Sequence, residues 1–279
     1  QTMAYGIYPY WKIGDTAQTF DFSTFSRVAY FGLTATDSGK LMQINAGAGA
    51  ATLLNDNSDA AKAFLREARR YGSRVDWLIE KEFSVSPTLN DEAALNEFFD
   101  NLHREIVRFL TLPLDDIESR LRKLSSLGLA GLPTNGDGVT LYFKNYPDTP
   151  IARDSFAKFF KELKIDLANK DTAANRFHSV KHHRYVNIMV TQSDFLKAGS
   201  VFSNNHIDLM VGASRFADDN LSIPEMQERV KTIVLLLLED PYYNALDEIY
   251  AVTTGTDRSI IAPLMFTDYA GMSAANNNT

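Results

Sequence analysis

No cysteine occurs in the 279 residues, which removes disulfides, thiolate metal sites and cysteine nucleophiles together and leaves the redox compartment open. Basic residues are also scarce: 28 Lys and Arg stand against 35 Asp and Glu, for a net charge of −7. Non-specific affinity for a phosphate backbone comes from clustered Lys and Arg, so nucleic acid is not an expected partner. Long hydrophobic runs are missing as well. The longest, Ile233-Val234-Leu235-Leu236-Leu237-Leu238, falls far short of the ~18 residues that suggest a membrane span, and reads as part of a buried helix. No Gly-rich phosphate loop follows the first strand-like run. The patch AGAGAA at 46–51 comes after the second run and has neither the Lys-Ser/Thr of a P-loop nor a dinucleotide fingerprint. Gln1 opens the chain without a charged n-region or an apolar h-region, which suggests a trimmed mature form or a domain of a longer protein.

What remains is an ordinary globular composition, 45% apolar and 23% charged, so a folded core is expected and disorder is not. Eight short β-rich runs alternate with helical patterns. The runs are 3–10, 27–33, 74–79, 138–144, 185–191, 207–213, 249–254 and 260–266. Apolar residues at three- and four-residue spacing predict helices over 58–71, 91–110, 114–127, 154–168 and 224–238. Asp115 and Asp116 open one of these, Gly72 follows another, and Pro224 sits in the first turn of a third. Alternation of this kind over the ~250 residues usual for the fold predicts a single-domain α/β protein, a closed (β/α)8 TIM barrel. An open doubly wound sheet is the competitor. The barrel is expected to occupy 1–271, with the small polar residues of 272–279 forming a tail or linker.

The stretch 137–147, DGVTLYFKNYP, carries the most specific information. In a strand, Thr140, Tyr142 and Lys144 share one face while Leu141 and Phe143 share the other. In a barrel, Lys144 would be the last inward residue, at the end where catalytic groups gather. The stretch resembles the fourth-strand signature of family 18 glycoside hydrolases, the chitinase family. That signature reads Asp-Gly, an apolar residue, then Asp, Asp and Glu at alternate positions, often followed by Tyr-Pro. Asp137-Gly138-Val139 matches its start and Tyr146-Pro147 its end, but Thr140, Tyr142 and Lys144 occupy the three acidic places. Tyr5 to Trp11, YGIYPYW, and Val28-Ala29-Tyr30-Phe31-Gly32 are similar to the family's first and second strands. The second half agrees only in layout. The run beginning at Ile207 lacks the family's Met-x-Tyr-Asp ending, and the last strand lacks its Trp.

The resemblance implies a substrate-assisted glycosidase mechanism, in which the Glu acts as general acid and the neighbouring Asp orients the substrate's N-acetyl group. Lys144 cannot protonate a leaving alkoxide without a large fall in pKa, and its charge opposes an oxocarbenium-like transition state. The expectation is a catalytically inactive barrel acting as a carbohydrate-binding or protein-interaction module. Export, to the cell surface or beyond, follows from the resemblance alone. Lys144 is expected to pair with Glu80 or Glu82; the other reading makes it a ligand-contacting donor or a new catalytic amine. Candidate ligand-binding residues are Tyr10, Trp11, Glu80, Glu82, Tyr142 and Lys144, with Trp11 the aromatic expected to be most exposed. Tyr8, Tyr10, Trp11, Tyr30 and Tyr142 could all stack on sugar rings at a barrel mouth, but barrel interiors are filled with large side chains and most of the five are expected to be core. The rival is a divergent glycosidase that uses Glu80, Glu82, Asp208 or Asp268. Glu80 and Glu82 stand on one side of a strand, about 7 Å apart by strand rise. His178, His182 and His183 lack an intervening Glu and are flanked by Arg176, Lys181 and Arg184, so they read as a solvated basic turn. No metal or cofactor is expected.

Overall fold

In a computed structural model the described residues are 4–12, 21–44, 49, 59–112, 134–174, 184–215, 230–237 and 261–264. The strands are β1 Tyr5–Pro9, β2 Arg27–Ala35, β3 Leu41–Gln43, β4 Arg74–Glu82, β5 Gly138–Lys144, β6 Arg184–Thr191, β7 Val230–Lys231, β8 Val234–Leu237 and β9 Ile261–Leu264. The helices are α1 Asp59–Arg70, α2 Glu92–Thr111, α3 Pro150–Ala174, α4 Gln192–Leu196 and α5 Asn204–Arg215. All the strands join one sheet in the order β1-β2-β4-β5-β6-β8-β9, with β3 antiparallel to β2 and the short β7 beside β6. Every neighbouring pair along that path is parallel.

That order distinguishes the two sequence-level architectures. A doubly wound sheet reverses its strand order at a switch point and carries helices on both faces. Here the order follows the chain without reversal, so right-handed crossovers place successive helices on the same side. The side-chain clusters agree. Phe64 and Leu65 of α1, Phe98 and Leu102 of α2, Phe156 and Phe160 of α3, and Ile207 of α5 pack against outward strand residues such as Val75, Trp77, Val139 and Leu141. The other face is filled by strand side chains and the adjoining Trp11 and Ile44: Ala29, Phe31, Leu78, Tyr142, Met189, Leu235 and Leu237. A sheet with helices outside and its own side chains inside is barrel-like. Pairing of β9 with β1, which would close it, is not present among the described residues.

Local chemistry explains the elements that position the site. Asp91 caps α2, accepting from the Ala94 N–H at 3.1 Å, as a short acidic side chain ahead of a helix should. α1 ends at Gly72, whose φ of 81° is the left-handed conformation that a helix C-terminus favours and a Cβ disfavours.

Two segments differ from the sequence expectation. Residues 207–213 are not a strand but lie in α5: Ile207 and Met210 are buried while Asp208 and Leu209 face solvent, an i, i+3 pattern. Conversely, 234–237 forms β8, not the end of a helix, with Val234 to Leu237 buried throughout. A parallel strand covered on both faces is apolar at every position, so the run carries no period of two. The expected strand at 249–254, the helix at 114–127 and the tail at 272–279 lie outside the described residues.

Candidate functional site

Period-two alternation sends Asp76, Leu78, Glu80 and Glu82 of β4 inward, with Thr140, Tyr142 and Lys144 of β5 and Asn187 and Met189 of β6. In register, Thr140 lies between Leu78 and Asn187, Tyr142 between Glu80 and Met189, and Lys144 opposite Glu82. The strands' C-terminal ends bring Glu80, Glu82, Tyr142 and Lys144 together.

At this mouth the Lys144 Nζ pairs with Glu80 Oε1, and both side chains are largely buried. The ammonium also lies 5.9 Å from the centroid of the Tyr142 ring. Tyr142 is only 7% exposed, packed into the inner cluster with Phe31 and Met189. Glu82 turns elsewhere, accepting from the Ser84 N–H at 3.0 Å, the Ser84 hydroxyl at 2.6 Å and Asn145 Nδ2 at 2.9 Å. Partial burial pushes the Glu82 carboxyl up, but the Ser84 and Asn145 hydrogen bonds outweigh it and hold the group below the ordinary carboxylate range. That is the opposite of what a general acid needs. The two glutamates are thus committed to different partners and do not converge on a shared reacting atom.

The aromatics divide between the faces. Tyr8 and Tyr30 belong to the helix-side core, against Phe64 at ring separations of 5.1 and 5.4 Å. Trp11 is partly buried on the inner cluster, edge-on to Phe31 at 5.7 Å and to Tyr10 at 5.1 Å. Its rim is therefore already used in intramolecular packing. Asp208 sits on the exposed face of α5 and not at a strand end, which removes it as a relocated acid in the mouth. Asp268, His178, His182 and His183 lie outside the described residues.

The opposite end of the interior holds a polar cluster that the sequence reading missed. Asp76, fully buried, accepts from Arg27 Nε at 3.0 Å, from Arg27 Nη2, from the Tyr5 hydroxyl at 3.0 Å and from Asn187 Nδ2 at 2.9 Å. The Tyr5 oxygen lies 2.7 Å from Thr140 Oγ1, and Asn187 Oδ1 takes the Ile233 N–H at 3.0 Å. Arg27 also donates to the Asp137 carbonyl at 2.9 Å and stacks on Tyr185 at 3.7 Å. Burial and the adjacent Asp76 charge push the Tyr5 phenol well above its ordinary value, so it remains a neutral donor. Thr140, the first of the three substituted motif positions, is part of this set. Gly138 is needed here because a Cβ would come within 2.4 Å of Asp76 Oδ1 and 2.6 Å of the Tyr185 carbonyl. The sequence signal was available: the alternation of RVDWLIEKE places one carboxylate, Asp76, on the inward face beneath Leu78.

Asp137 closes the same end from the helix side, accepting from the Val75 N–H at 3.0 Å and Arg74 Nη1 at 3.3 Å. Burial raises its carboxyl, but the charges of Arg69, Arg74 and Arg27 and the Val75 hydrogen bond hold it below the usual value. A folded-state pKa below the unfolded one makes the unfolded chain bind more protons between the two values. The stabilisation is therefore complete above the unfolded carboxylate value, about 3.9, and is lost as pH falls through the lowered folded one. Urea midpoints measured from pH 6 downward should fall less steeply for Asp137→Asn than for the wild type, and parallel acid limbs would contradict this assignment.

No protein-family model and no curated protein matches the sequence. Solved structures do. The C-terminal domain of a protein assigned as a chitinase from Desulfitobacterium hafniense DCB-2 superposes with a TM-score of 0.54 at 13% identity, over 94% of this chain and 65% of that one. A chitinase from Bacteroides thetaiotaomicron gives 0.49 at 11% identity, over 94% and 66%. Catalytic domain 2 of a Group II chitinase from Ostrinia furnacalis gives 0.49 at 12%, over 94% and 63%. The chain spans less than two thirds of the length of each of these three. What it has in common with the Desulfitobacterium domain, at such low identity, is its architecture: the chain has a chitinase-like fold.

Proposed function

We propose that the chain is a catalytically inactive chitinase-fold module that serves protein interaction or scaffolding in an exported or surface assembly. One observation carries this reading: the Lys144–Glu80 ion pair stands where the resembled family places its proton donor, above a Tyr142 buried in the interior. A chitinase-like fold hosts many roles, so the reading rests on the site and not on the fold. Neither carboxylate at the mouth is arranged as an acid. Glu80 is taken by Lys144, and Glu82 is held ionised by Ser84 and Asn145.

Carbohydrate binding without hydrolysis is the second reading. It is favoured by the partly exposed Trp11 and Tyr10 at the end of β1, on the same side as Glu80, Glu82, Tyr142 and Lys144. Against it, both rings already pack on Phe31 and on each other.

Turnover assays on chitooligosaccharides and a wider glycan panel test the first reading. Wild type, Glu80→Gln and Lys144→Glu are all expected to release no product above the buffer blank. Hydrolysis by the wild type that Glu80→Gln abolishes would overturn it in favour of a divergent glycosidase. Glycan-array binding that Trp11→Ala removes would move the assignment to the second reading.

A further inference from the structure

The end of the sheet opposite the mouth carries a feature that the charge balance does not lead one to expect. In a chain of net charge −7, the last turn of α1 and the start of β4 place Arg66, Arg69, Arg70 and Arg74 within nine residues. Arg69 donates to the Thr134 carbonyl and Arg74 to Asp137. Elsewhere, too, each arginine with a described side chain donates to an oxygen: Arg27 to Asp76, Arg104 to Asn101, Arg108 to Glu105, Arg153 to Gly199 and Arg184 to Thr134. Arg66 and Arg70 do not. Both are exposed and neither makes an ion pair or hydrogen bond among the described residues. Their i, i+4 spacing puts them on one face of α1, with Cβ atoms about 5–6 Å apart.

Tyr71, directly after them, is 54% exposed, one of few large hydrophobic side chains so placed among the described residues. The turn that presents it is fixed. Gly72 adopts a φ of 81°, and the Ser73 hydroxyl donates to the Phe22 and Phe25 carbonyls at 2.8 and 2.7 Å. Phe64, Leu65 and Ala68 hold the inner face of α1 in the core. Glu67, partly buried, is the acidic residue within the same turn, so the exposed face keeps a positive balance.

Guanidinium forks with no partner among the described residues, beside an exposed Tyr on a helix anchored in the core, suit a protein partner more than a solvated face. Arginine and tyrosine are enriched where binding energy concentrates, and a guanidinium matches a carboxylate in two-point geometry. We propose that this end of α1, through Arg66, Arg70 and Tyr71, docks an acidic Asp/Glu-rich segment of a partner protein. The surface lies away from the mouth, so the proposal stands whether or not the mouth binds anything.

The test uses the whole chain and a fluorescein-labelled octaglutamate peptide, followed by anisotropy at low and moderate salt. Wild type should bind, more weakly as salt rises, and Arg66→Glu/Arg70→Glu should lose at least about tenfold in affinity. Lys158→Glu/Lys161→Glu, exposed on α3, changes the net charge equally and should not. The neutral pair Arg66→Gln/Arg70→Gln, checked for an unchanged melting temperature, separates lost contacts from lost folding. Absence of wild-type binding, equal loss in the α3 control, or tighter binding of inorganic polyphosphate than of octaglutamate would each overturn the proposal.

Discussion

Asp76→Ala is expected to destabilise the fold by about 3–5 kcal/mol, the range for breaking one partner out of a buried ion pair. The magnitude follows from what the substitution strands. Arg27, itself buried, keeps the Asp137 carbonyl and the Tyr185 ring but loses its one ion-pair partner among the described residues. Tyr5, partly buried, and Asn187, fully buried, each lose an acceptor. Five strands meet there, because Tyr5, Arg27, Asp76, Thr140 and Asn187 come from β1, β2, β4, β5 and β6. Asp76→Asn should cost less than Asp76→Ala, since an amide keeps one oxygen for Asn187 or Tyr5 while losing the charge. Replacing the pair together, Arg27→Met/Asp76→Leu, should be milder than Asp76→Ala, as no charge is left unpaired. Urea denaturation gives each value. An Asp76→Ala midpoint within about 1 kcal/mol of wild type would mean that Arg27 is already satisfied without Asp76.

The stretch that carries the family resemblance was legible almost to the residue, because its period of two and its flanking turn residues agree. The run 138–144 coincides with β5, and its inward row Thr140, Tyr142, Lys144 is the observed one. Pairing of Lys144 with Glu80 was open to sequence reasoning because a charge at a barrel mouth needs a partner on the next strand. The second half was harder for a physical reason. A short apolar run such as 233–238 has the same composition in a buried helix and in a strand buried on both faces, and only its neighbours β6 and β9 decide. The segment 207–213 inverted the problem, since IDLMVGA is apolar enough for a strand while its exposed Asp208 and Leu209 follow a helical period. The buried Arg27–Asp76 set was missed because its members are scattered from residue 5 to residue 187. Register, not sequence spacing, brings them together.

Lys144 and Glu80 are expected to be coupled by about 1–3 kcal/mol, below the cost of stranding Asp76's partner because both side chains retain some solvent contact. Lys144→Gln leaves the Glu80 carboxylate largely buried without its counter-charge, and Glu80→Gln does the same to the ammonium. The double Glu80→Gln/Lys144→Gln should therefore lose less stability than the two single losses added. Lys144→Glu should be the most damaging single change at the mouth, because it sets a second carboxylate against Glu80. The swap Glu80→Lys/Lys144→Glu should recover much of that loss, whereas a solvated, uncoupled pair would leave all these effects additive. The swap also bears on function. It returns a carboxylate to the position where the resembled family has its acid, yet Thr140 is hydrogen-bonded into the interior cluster and Tyr142 fills the core below, so neither of those two positions supplies a carboxylate to orient a substrate, and Glu82 is held by Ser84 and Asn145. No chitooligosaccharide turnover is expected from it. Turnover in the swapped variant would show that the proton donor alone was missing and that the rest of the site is competent.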